Sequence, residues 1–131
     1  TMDEAHAGAP ADVDPPAGLS ELCSGIARLY SERWGRGPQR CRAYWAGADI
    51  LLVLLEDGHN PAERTLRAAG HIQEILGGRH ALQQIVEGDL CRLVEQATGR
   101  RVATVLSATR LEPDLSAEVF LLVPAAGAEQ A

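Results

Sequence analysis

Arginine is the side chain with chemical potential that this sequence concentrates. The stretch RWGRGPQRCRAYW, residues 33–45, holds four arginines, two glycines and a proline within thirteen positions of an otherwise acidic chain. No lysine occurs anywhere, so every cationic site is planar, forked and permanently charged. Schiff-base chemistry and a P-loop lysine are thereby excluded. Two readings of the stretch stand side by side. In one, Gly35 and Gly37 supply positive φ after a helix, Pro38 stiffens the entry to a strand and Arg36 is solvated. In the other, the glycine-bounded turn presents amides and Arg36 to an anion, with Arg40, Arg42 and Tyr44 along one face of the next strand. The loop follows a helix and precedes a strand, the reverse of a nucleotide-phosphate loop. The turn reading therefore ranks first and the anion site second.

Other charged positions invite the same comparison. Arg79, Glu95 and Arg100 read as a helix-surface charge set. Glu118, on a strand beside the hairpin carrying Arg40 and Arg42, suggests a charge pair across the sheet. Ion pairing is a commoner use of such residues than ligand binding. His59, His71 and His80 are separated by 12 and 9 positions, which fits no helical ligand pair, so no metal site is expected. Cys23, Cys41 and Cys91 form no CxxC pair and sit in apolar patterns, as buried reduced thiols do. No nucleophile elbow and no carboxylate dyad stands out, and neither a catalytic residue nor a cofactor is assigned.

Composition narrows the partners. A net charge of −6 and a pI near 5.1 oppose nucleic-acid or anionic-membrane binding. Aromatic residues make up 4%, too few for base-stacking platforms. The longest aliphatic run, Ile50 to Leu55, falls far short of the ~20 residues of a membrane helix, so no direct membrane insertion is expected. Residues 1–18 are acidic and Ala/Pro-rich without an apolar signal stretch, which predicts a disordered lead and a cytoplasmic protein.

The elements that must position these residues follow from periodicity. Leu19, Leu22, Cys23, Ile26, Leu29 and Tyr30 recur at helical spacing up to Trp34. Residues 39–46 alternate as a half-exposed strand, and ILLVLLE after the Ala46–Asp49 turn reads as a central strand completing a hairpin. Asn60, Pro61 and Glu63 form a helix start with capping-box logic. A short helix to about Ala69 precedes a longer one whose stripe runs Leu82, Ile85, Val86, Leu90, Leu93, Val94 and Ala97. Gly77-Gly78 is expected to delay its start, and Gly99 ends it. Residues 101–109 and 115–123 alternate as two more strands, with RLEPDLS as a loop around Pro113. The order α-β-β-α-α-β-β predicts an α+β two-layer sandwich: a four-stranded antiparallel sheet with helices on one face, over residues 19–124. Residues 125–131 read as a flexible tail.

Taken in order, GRGPQRCRAYW, NPAERTL, Arg79, VEQATGRRVATVLS and PDLSAEVFLLV resemble the MpsC-like family over about residues 19–124. That family is named after a cation-translocating, membrane-potential-generating system of bacteria. Its members look like small soluble proteins, encoded alone or beside membrane subunits tied to cation or inorganic-carbon transport. The resemblance places the family's Gly-Arg-Gly-Pro on Gly35, Arg36, Gly37 and Pro38, and its helix-start glutamate on Glu63. Its mid-chain arginine falls on Arg79, its Val-Glu on Val94 and Glu95, its Gly-Arg on Gly99 and Arg100, and its late acidic positions on Asp114 and Glu118. The chain departs from the pattern at His59-Asn60, where the family shows Leu-Thr, and at Gly77-Gly78.

The resemblance implies an accessory or regulatory protein without established catalysis. Two functions compete: a protein-interaction module for a membrane transport subunit, and a sensor of a small anion (bicarbonate, phosphate or a carboxylate) using Arg36, Arg40, Arg42 and Arg79. A homodimer is expected, because helices on one face leave the other open, with Trp45, Phe120 and Leu122 in phase to line it.

Overall fold

Gly35 and Gly37 settle how the chain leaves its first helix. Leu19–Trp34 (α1) buries Leu19, Leu22, Gly25 and Ile26, and it ends at Gly35, which takes a left-handed φ of 84° and donates to the Ser31 carbonyl. A Cβ at Gly37 would lie 2.7 Å from the carbonyl oxygen of Ala27, closer than any side chain is tolerated, so the loop can fold back on α1 only with glycine there. The arginine-rich stretch is thus first of all a tight helix-to-strand turn.

The computed structural model describes residues 18–124. The expected disordered lead and flexible tail, apart from Gly18, lie outside the described residues. After α1 come Arg40–Trp45 (β1), Ile50–Glu56 (β2), Pro61–Ala68 (α2), Ile72–Thr98 (α3), Val102–Leu111 (β3) and Asp114–Leu122 (β4). The four strands form one antiparallel sheet in the order β1-β2-β4-β3. This is the α+β arrangement that the periodicity predicts.

The sheet has two different faces. On the helix side, Leu51, Val53 and Leu55 of β2 and Phe120 and Leu122 of β4 join Val86, Leu90 and Val94 of α3 and Leu22 and Ile26 of α1 in the core. Each fully buried side chain of this size contributes roughly 1.5–3 kcal/mol of transfer free energy. Cys23 and Cys41 pack against this cluster, and all three cysteines are free thiols.

Three sequence expectations need correction. Phe120 and Leu122 are 0% and 3% exposed beneath the helices, and Trp45, paired with Leu51, shares that side at the sheet margin. The open face is built from the alternate positions, Tyr44, Leu52, Leu54, Leu106, Ala117, Val119 and Leu121. Alternation fixes which residues share a face, but not which face the helices cover. Second, α3 runs unbroken through Gly77-Gly78, anchored on both sides of them by buried Ile75 and Val86. Those contacts exceed the ~1 kcal/mol that each glycine costs a helix. Third, RLEPDLS is mostly strand: Leu111 pairs with Asp114 and only Glu112-Pro113 remains as the turn. Buried Leu111 extends the inward phase of β3, and Arg67 of α2 holds its carbonyl at 3.0 Å.

Candidate functional site

On the helix-facing side of the sheet, the pleat sets side chains in rows. One row reads Trp45, Leu51, Phe120, Val105; the next Ala43, Val53, Glu118, Ser107; the third Cys41, Leu55, Ser116, Thr109. The β1–β2 half is apolar or thiol. The β4–β3 half of the second and third rows is a block of four polar residues where a core would be expected. Above that block, between β3–β4 and the first half of α3, lies a cavity of about 420 Å³. Tyr30 and Trp34 of α1 and Leu76, Arg79, His80, Gln83 and Glu87 of α3 line its remaining walls.

Glu118 is the buried acid of this cavity, 2% exposed. Its Oε1 accepts from Gln83 Nε2 at 2.9 Å and its Oε2 from Ser107 Oγ at 2.9 Å. No arginine or histidine among the described residues pairs with it. Burial pushes its carboxyl up to about 7, against the two hydrogen bonds and with help from the Glu87 charge. Ser116 and Thr109 satisfy one another at 2.8 Å.

At one end of the cavity stands a second buried acidic region, built differently. Asn60 and Glu63 close the capping box of α2: the Glu63 amide donates to Asn60 Oδ1 at 2.8 Å, and the Asn60 amide to Glu63 Oε1 at 3.3 Å. The Asn60 side-chain amide also donates to the Trp34 carbonyl at 3.2 Å, tying the start of α2 to the end of α1. Glu63 is 3% exposed because its carboxylate also turns to Arg79. Arg79 Nε and Nη2 donate to Glu63 at 2.9 and 3.0 Å, and Nη1 and Nη2 to Asp114 at 2.6 and 3.2 Å. Asp114 Oδ2 further accepts the amides of Gly58 and His59, and His59 Nδ1 stands 2.6 Å from it. Burial alone pushes the Asp114 carboxyl up, but Arg79, His59 and the Gly58 amide outweigh it and hold the carboxyl below its ordinary value. The guanidinium is also opposed by burial, yet the two carboxylates raise its pKa. Arg79 therefore gives its fork to two carboxylates at once, and its role is to join α2, α3 and β4.

The remaining sequence candidates separate. Arg42 pairs with Glu56 on the open face, where Tyr44 also touches it. Arg40 lies on the same face, opposite Glu56. Arg36 is on the other side of the sheet at the cavity wall, donating to the Asp57 carbonyl at 3.4 Å. The four arginines do not meet at one point. Glu118, expected to pair across the sheet with Arg40 or Arg42, instead faces the helices, and β2 stands between β4 and β1. Glu95 accepts the Val102 amide at 3.0 Å, and Arg100 ties the β1–β2 turn to the end of β4 through Ala48, Asp49 and Val123. Pro61 opens α2, Pro38 lines the cavity and Gly99 ends α3.

Gln83 and Ser107 escaped sequence reasoning, and His59 was singled out without its partner. Ser107 and Glu118 carry a readable signal, since each interrupts the inward phase of a strand with a polar residue. His59 takes its place in the Asp114 cluster, with its Nδ1 2.6 Å from Oδ2. No group of metal ligands occurs among the described residues, and no helix there is long and apolar enough to cross a membrane.

Neither a curated protein nor a solved structure matches the chain. A family model does match, over residues 19–123, and is described as Na+-translocating membrane potential-generating system (MpsC). The match spans every helix and strand described above, including the Glu63–Arg79–Asp114 cluster and Glu118, and the chain accordingly belongs to the MpsC family.

Proposed function

We propose that this chain is a cytoplasmic, non-catalytic accessory protein of a membrane cation-translocating system, acting through protein contact at the open face of its sheet. The observation that carries the reading is the composition of that face. Leu52, Leu54, Ala117, Val119 and Leu121 are only partly covered, and Leu106 is 60% exposed. A contiguous apolar surface of this kind is costly to leave in water and marks contact sites on soluble domains. Arg40, Arg42 and Arg110 with Glu56 bring both signs of charge to one end of it. A second copy of the chain is the occupant that such a mixed margin suits, since a two-fold interface sets each surface against itself.

The anion-sensor alternative needs converging arginines. Arg40 and Arg42 on the open face and Arg36 and Arg79 on the cavity side supply none.

Two measurements test the reading. Light scattering at micromolar concentration gives about twice the 14.0 kDa chain mass for the wild type and a monomer for Leu106→Glu. In a host lacking the gene, wild type restores sodium-dependent membrane potential and folded Leu106→Glu does not. A wild-type monomer defeats the dimer, and full complementation by Leu106→Glu defeats the docking face.

A further inference from the structure

A carboxylate buried without a cation is a costly residue to keep in a core. Isolated ionised groups are tolerated inside proteins when they are paired, neutralised or supplied with a ligand. Glu118 is held in place by Gln83 and Ser107, which occupy two of the roughly four acceptor sites of a carboxylate. Glu118 is itself one of the residues that line the cavity. At about 420 Å³, that space falls within the range of small-molecule pockets. Its walls combine aliphatic Leu55, Leu76 and Val105 with the rings of Tyr30 and Trp34.

Charge selects the class of occupant. Glu87 of α3 adds a second negative charge beside Glu118. From α3, Arg79 also faces the cavity, but both edges of its fork are taken by Glu63 and Asp114. His80 of α3 and Arg36 stand elsewhere on the lining, and neither is within salt-bridge distance of Glu118. From α1 comes Tyr30, whose hydroxyl burial keeps protonated; β3 contributes Ser107, and β2 the apolar Val53 opposite Glu118. An acid, an aromatic wall and an apolar floor together suit an ammonium group on a compact apolar body.

We propose that this cavity binds a small organic cation, a protonated primary or secondary amine, with Glu118 as the anchoring anion. Binding holds Glu118 ionised, so below about pH 7 it releases the proton that the empty site carries. The site lies on the helix side of the sheet, opposite the proposed docking face.

The experiment is calorimetry and thermal shift on the intact chain with benzylamine and n-butylamine, against benzyl alcohol and n-butanol as neutral isosteres. Saturable one-to-one amine binding is expected, at least about tenfold tighter than the alcohol and weakening as pH falls below neutrality. Glu118→Gln keeps the shape and is expected to lose at least about tenfold in amine affinity while leaving alcohol affinity unchanged. Leu76→Trp, on the α3 wall, fills the cavity and abolishes binding while leaving the Gln83 and Ser107 bonds to Glu118 in place. Equal affinity for amine and alcohol overturns the proposal, as does amine binding that survives in Glu118→Gln. Absence of saturable amine binding overturns it too. A Glu118-dependent shift given by sodium chloride over potassium chloride at equal ionic strength, without any response to amines, makes the site one for an inorganic ion and equally overturns it.

Discussion

Asp114 and Glu118 stand four residues apart on the same face of the same strand, the first half-buried and the second buried, and they behave in opposite ways. Asp114 meets a forked guanidinium, a histidine and two backbone amides, and its charge is held so firmly that its pKa falls. Glu118 meets an amide and a hydroxyl at the cavity wall, and burial raises its pKa to about 7. The strand and its inward face are shared; Glu118 lies deeper, and α2 and α3 bring different partners down onto the two carboxyl groups. Arg79 reaches one carboxylate; one turn later, the same helix presents Gln83 to the other. A compensated charge ties elements together, whereas an uncompensated one beside a cavity is available to a ligand.

The largest effect expected is on the compensated side. Arg79→Met leaves Glu63 and Asp114 buried without their cation, and breaking such a pair from one side costs about 3–5 kcal/mol. Urea unfolding measures it. Arg79→Lys recovers only part of the loss, because a single ammonium cannot satisfy two carboxylates bidentately. A cost below 1 kcal/mol, the order of an exposed pair, would make the cluster no more than surface charge.

The second effect has the opposite sign. Because Glu118 is protonated in the folded chain over a range where the unfolded chain is ionised, stability falls as pH rises from about 4.5 to about 7 and is flat above. Glu118→Gln is expected to remove that slope and to be more stable than wild type at pH 8 by roughly 1–3 kcal/mol. Asp114 runs the other way: its depressed pKa adds stability that is present above its unfolded value and lost as pH falls through the folded one. Unfolding series at several pH values for wild type and Glu118→Gln separate the two contributions. A variant less stable than wild type at pH 8 would mean that Glu118 is already compensated.

The smallest effect concerns the frame. Asn60→Ala removes the capping box of α2 and its bond to the Trp34 carbonyl, at a cost of about 1 kcal/mol. If α2 positions Glu63 for Arg79, Asn60→Ala and Arg79→Met are non-additive in a double-mutant cycle. Simple additivity would separate the cap from the cluster.

Much of this frame was legible because local signals govern it. The capping box at Asn60-Pro61-Glu63, the stop at Gly35 and the alternation in β1 and β2 depend on neighbours within a few residues. Glu63, Arg79 and Asp114 were each visible as landmarks, but their meeting was not, because sequence separations of 16 and 35 residues are closed only by tertiary folding. The same limit hid the pairing of Glu118 with Gln83. The side of the sheet was misread for Phe120 and Leu122 because periodicity is symmetric between faces, and only the apolar stripes of α1 and α3 break that symmetry. Gly77-Gly78 misled because propensity was read without Ile75 and Val86 on either side. The polar run Asp114, Ser116, Glu118 ahead of Phe120 and Leu122, with Ser107 and Thr109 on β3, was the sequence signal of the cavity.

The contrast between the two carboxyl groups is tested most directly by NMR titration of side-chain carboxyl carbons, with Asp114 and Glu118 assigned through Asp114→Asn and Glu118→Gln. Glu118 is expected to titrate near pH 7 and Asp114 below the ordinary aspartate range. An amine bound in the cavity should lower the Glu118 value and leave Asp114 where it was. Glu118 titrating at an ordinary glutamate value of about 4.5, together with no response to amine, would contradict the assignment of the cavity as a site built around an uncompensated acid.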